Sequence, residues 1–203
     1  MKIVFILTFI FSSLFATSSV EDITIGKFDF VIIKKSYDVY DSKGKLMQLY
    51  REKRNKNLLF SLRLTLKDAT GDCASKGLQE GAYVVDKKSI TLYSHWHRRG
   101  KAYLEPYGAR IQKYEVQPDG VLKQVYSAVY IESARKNHAL DEGMKYLFET
   151  PKNDEEKKSL ESYVKEIERV YKAKFVYGEA KDKLFKEVKR ALKKKIKDVW
   201  RKK

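Results

Sequence analysis

A chain of 203 residues is long enough for one domain with an ordinary core. Its 43 Lys and Arg against 27 Asp and Glu leave a net charge of +16, which makes anionic surfaces its natural partners. A single cysteine, Cys73, excludes a disulfide scaffold, and burial is the expected state of its thiol.

The first residues, MKIVFILTFIFSSLFATSS, place one lysine before an apolar run and then small residues with A-x-A-like spacing at 16–18. The run is shorter than the roughly 20 residues that span a bilayer, so 1–19 reads as a cleaved secretory leader. Removing it takes away Lys2 and no acid, from +16 to +15. Export predicts a periplasmic or secreted protein. The absence of an N-x-S/T sequon favours a bacterial envelope. Nucleic acid is not an expected ligand in that compartment.

From 27 to 132 the hydrophobic period is two, as in half-buried antiparallel strands. LLFSLRLTL (58–66) is the clearest run, with Leu58, Phe60, Leu62, Leu64 and Leu66 on one face. Similar runs fall at 28–33, 37–40, 46–50, 82–85, 90–96, 109–116 and 122–131. Between them DSKG, HRRG, EPYG and QPDG end in Gly44, Gly100, Gly108 and Gly120, a type I turn pattern suited to consecutive hairpins. The polar stretch 67–81, which carries Cys73, reads as a loop.

After 133 the period changes. DEGMKYLF reads as a short helix. Asn153 then caps a helix that opens with Asp154, Glu155 and Glu156 and carries a stripe from Leu160 to Tyr171. Gly178 breaks it, and a second helix is predicted from about Glu179 to Trp200, with Leu184, Phe185, Val188, Leu192, Ile196 and Val199 on one side. The expected fold is therefore α+β. An antiparallel meander or partly closed small barrel over 20–133 precedes a C-terminal helical hairpin over 134–203, packed on the sheet as a single folding unit. The helices are expected to cover the leucine and phenylalanine face.

Three candidate sites emerge. In ITLYSHWH, alternation puts His95 and His97 on one side of a strand, the placement an H-x-H metal chelate needs, with Glu105 or Glu115 as nearby carboxylates and His138 as the only other histidine. A basic and aromatic strip, suited to sugars or acidic polymers, is made of Tyr93, Arg98, Arg99, Lys101, Tyr103, Tyr107, Arg110 and Lys113. From 178 to 203, twelve Lys or Arg face four acids. Within that stretch Lys193, Lys194, Lys195, Lys197 and Trp200 have the pattern of a helix lying on an anionic surface. No G-x-S-x-G, H-E-x-x-H, phosphate loop or C-x-x-C occurs, so no catalytic residue or cofactor is expected. The expected function is an exported, non-catalytic envelope protein that binds a membrane surface, acidic polysaccharide or acidic partner protein. The alternatives are a small-ligand β-barrel and a metal-dependent enzyme using His95 and His97.

Overall fold

The computed structural model describes residues 18–39, 42–51, 57–68, 77–97, 107–132 and 143–201. The expected leader through residue 17, and Cys73, lie outside these. Among the described residues nine strands and two long helices follow one another: β1 Ser19–Ile25, β2 Phe28–Val39, β3 Ser42–Tyr50, β4 Leu58–Asp68, β5 Gly77–Val85, β6 Ser89–Trp96, β7 Tyr107–Val116, β8 Leu122–Glu132, α1 Asp154–Tyr171, β9 Lys174–Phe175 and α2 Glu179–Arg201. All nine strands belong to one sheet whose spatial order is the chain order. β1 to β8 run as an antiparallel meander, and β9 pairs parallel with the outer side of β8.

The run at 28–33 and residues 37–39 of the next run form one strand, β2. The predicted loop 67–81 is shorter than expected, because β4 continues to Asp68 and β5 begins at Gly77. Turn chemistry holds at QPDG: Gly120 has φ +81°, its N–H donates to Gln117 O at 2.8 Å, and Asp119 Oδ1 accepts from Val121 N at 2.9 Å. It does not hold at DSKG. The β2–β3 ladder runs on to Val39↔Ser42, so Gly44 sits inside β3 opposite Tyr37. A Cβ at Gly44 would fall 2.4 Å from the Tyr37 ring, so the glycine makes room for an aromatic side chain. Gly108 likewise lies in β7, opposite Ile131. Gly100 is outside the described residues.

The sheet rolls, and its two faces bury two different cores. One face gathers Ile25, Phe30, Ile32, Met47, Leu49, Leu62, Leu64, Ile90 and Leu92 into a single cluster, drawn from β1–β4 and from β6. The sheet covers this face itself. The β1–β2 and β5–β6 turns meet through Gly26 N–H to Lys87 O at 2.6 Å, and Tyr83 OH of β5 reaches Glu21 of β1 at 3.1 Å. α2 therefore does not cover the leucine and phenylalanine face, as the sequence led us to expect of both helices. It packs on the opposite face of β5–β8, where Ala82, Ala109, Ile111 and Ala128 join Leu184, Phe185, Val188 and Leu192 in one cluster. Small residues let a helix approach closely, and the helix brings the bulk. α1 lies on the other side of β8, which carries Val129 and Ile131, and its Tyr171 meets Trp96 and Arg110, which share a side with Leu92.

α1 begins as its sequence requires. Asn153 Oδ1 accepts from Glu156 N at 2.9 Å, and three acids occupy the first turn. It ends at Lys172, whose left-handed φ of 46° lets its N–H reach Glu168 O. Tyr163, fully buried, donates its hydroxyl to Ile131 O and pins α1 to β8. Within the expected short helix, one helical turn spans 143–145. β9 lies between α1 and α2 and pairs with β8, so the chain returns to the sheet before α2 starts.

Candidate functional site

α2 is amphipathic by sequence, and the sheet takes up its apolar side as far as Leu192. Leu184, Phe185, Val188 and Leu192 are buried. The Phe185 ring stacks on Tyr107 (centroids 5.3 Å apart) and meets His95 (5.6 Å) and Tyr130 (5.9 Å) edge-on. At 100° per residue, Lys183, Lys186, Arg190, Lys193 and Lys194 fall on the side away from Val188, and Lys189 flanks them; all six are exposed. Glu187 is the one acid among them over 183–194. Between α2 and the β5–β6 strands runs an open groove of about 450 Å³, lined by Val84, Tyr93, Lys183, Lys186, Glu187, Arg190, Ala191 and Lys194. No helix among the described residues is long and apolar enough to cross a membrane. The side chains of Lys195, Lys197 and Trp200 lie outside the described set, although their backbone continues α2.

The strip of arginines and tyrosines does not form one surface among the described residues. Arg98, Arg99, Lys101 and Tyr103 lie outside them. Tyr107 is half-buried under Phe185. Arg110 is half-buried too: its guanidinium donates to the Tyr171 carbonyl and lies 5.7 Å from that ring, so it closes the C-terminal end of α1, where cations suit the helix dipole. Burial lowers the Arg110 pKa from its usual value. Lys113 pairs with Glu115 at 3.1 Å. Among the described residues of the strip, only Tyr93 lines the α2 groove, where burial, then the nearby Glu187, raises its pKa.

The two histidines do share a side, facing α2 rather than the rolled core. His95 is 6% exposed and His97 half-buried just beyond β6, their ring centroids 4.0 Å apart. The strand register adds a third group. Glu80 of β5 lies directly opposite His95, and its Oε2 is 3.1 Å from His97 Nε2. One donor atom from each of Glu80, His95 and His97 falls within 4.8 Å of the others. His95 Nε2 is buried with no hydrogen-bond partner. Burial, then His97, pulls the His95 pKa down to about 4; Glu80 opposes that fall and Lys189 adds to it. Of the expected carboxylates, Glu115 lies at the other end of β6, opposite Ser89. Glu105 and His138 are outside the described residues. Sequence reading missed Glu80 because it placed that residue in a loop.

No protein-family model, curated protein or solved structure matches the chain.

Proposed function

We propose that this is an exported protein that attaches to an anionic envelope surface through the basic face of α2, without catalysis. One observation carries the reading: the apolar stripe of α2 is buried on the sheet from Leu184 to Leu192, while Lys183, Lys186, Lys189, Arg190, Lys193 and Lys194 remain exposed on the same stretch of helix. An isolated amphipathic helix would bind a membrane by inserting its apolar side. Here that side is occupied from Leu184 to Leu192, so attraction along this stretch rests on charge. Each basic residue near an anionic surface contributes roughly 1 kcal/mol, and six acting together can hold a protein that has no lipid anchor. The rolled half of the sheet reads as a partly closed barrel filled by its own side chains, since Ile25, Ile32, Met47, Leu49 and Ile90 are each 0% exposed. That filling favours a surface ligand over one held inside.

The experiment is co-sedimentation with vesicles containing anionic phospholipid, at low and at physiological salt. Wild-type protein is expected to sediment at low salt and to be released as salt rises, because exposed charges are screened within about 8 Å at physiological ionic strength. A variant carrying Lys186→Glu, Arg190→Glu, Lys193→Glu and Lys194→Glu is expected to stay in the supernatant with an unchanged melting temperature. Wild-type protein that ignores anionic vesicles and acidic polysaccharide at low salt overturns the reading.

A further inference from the structure

We propose that Glu80, His95 and His97 form a binding site for a divalent transition-metal ion of the zinc class, with one coordination position open to solvent. Two imidazoles and a carboxylate are the donor set that such ions take in sites that keep an exchangeable position. Three features of the fold place the donors. A strand turns residues two apart to the same side, which brings His95 and His97 together. The tight β5–β6 turn fixes the register so that Glu80 stands opposite His95. The Phe185 and Tyr107 rings wall His95 from water on the α2 side.

The dimensions fit. Ligand distances near 2.1 Å in a tetrahedron put donor atoms about 3.4 Å apart. Here one pair is at 3.1 Å and all three donors lie within 4.8 Å, so small side-chain rotations suffice. His95 supplies the most telling observation. It is more than nine-tenths buried, yet its Nε2 has no hydrogen-bond partner, a costly arrangement in a core unless something coordinates it. His97 and Glu80 keep side-chain exposures of 34% and 43%, which gives an ion a route in and a face for bound water. Lys189 is close enough to work against a cation, and the Glu80 carboxylate offsets it. The site is on the sheet, and binding there requires none of the exposed lysines of α2.

The test is calorimetric titration of untagged, chelator-treated protein with Zn²⁺, alongside the visible absorption of Co²⁺ as a probe of coordination. One ion per chain is expected, with a melting temperature that rises with Zn²⁺. Glu80→Gln and His97→Ala, both at half-exposed positions, are each expected to weaken binding at least about tenfold and to lose that rise, while His138→Ala changes neither. The absence of saturable one-to-one binding overturns the proposal. So does unchanged affinity in both Glu80→Gln and His97→Ala, or loss of binding in His138→Ala alone.

Discussion

Replacing Phe185 by alanine removes the ring that joins α2 to the sheet. The ring is 8% exposed and touches His95 of β6, Tyr107 of β7 and Tyr130 of β8. Truncating a buried phenylalanine costs about 3–5 kcal/mol, depending on how far the surroundings collapse into the space. These three neighbours are held on separate strands of one hydrogen-bonded sheet, so collapse is limited. Two of the three contacts are edge-on and one is stacked, and such aromatic pairs add about 0.5–1.5 kcal/mol beyond area alone. We therefore expect a loss of about 4 kcal/mol, read as a lower urea midpoint at unchanged slope. Lys186→Ala, one residue along and exposed, should change stability by less than about 0.5 kcal/mol. A loss below about 1 kcal/mol for Phe185→Ala would refute the packing of α2 on β5–β8, and with it the claim that the apolar side from Leu184 to Leu192 is occupied.

Other outcomes follow from single contacts. Asn153→Ala removes the cap on α1 and should cost about 1 kcal/mol in urea unfolding, with Asn153→Asp retaining most of it. Gly120→Ala places a Cβ at φ +81° and 2.2 Å from the Arg51 guanidinium; a loss of about 1–2 kcal/mol is expected by the same assay. In chelator-treated protein the His95 pKa is about 4 when folded against 6.5 when unfolded. The unfolded chain thus binds the proton more readily, and stability present above pH 6.5 is lost as pH falls toward 4. At 1.36 kcal/mol per unit this amounts to at most about 3 kcal/mol, seen as a shallower acid dependence of the urea midpoint in His95→Gln.

Much of this fold was legible because period two survives wherever one face of a strand is buried. β4, β6 and β8 announce themselves in this way, and the cap at Asn153 and the break at Gly178 mark the helices. β9 was not legible: two residues, Lys174 and Phe175, carry no period. Nor was the choice of face. Ala82, Ala109 and Ala128 give a weak hydrophobic signal beside Leu62 and Leu64, yet they make the trough that accepts α2, while the leucines are covered by the roll of the sheet. A roll joins residues far apart in sequence, as Glu21 and Tyr83 are, and local pattern does not register it. Glu80 was within reach. Once Asp86–Ser89 is read as a tight turn, Val85 pairs with Ile90, and the same ladder counted back sets Glu80 against His95. The glycines and polar residues around it concealed the strand, because β5 draws its burial from α2 as well as from its neighbours.

The proposed attachment requires α2 to stay docked on the sheet while its basic face binds. Hydrogen exchange of the α2 amides, in free protein and in protein bound to anionic vesicles at low salt, tests this directly. Protection of 184–192 in the free protein, unchanged on binding while vesicle association is lost at physiological salt, is the predicted result. Amides that exchange freely in solution and become protected only on vesicles would contradict it, since the helix would then fold into the membrane by its apolar side.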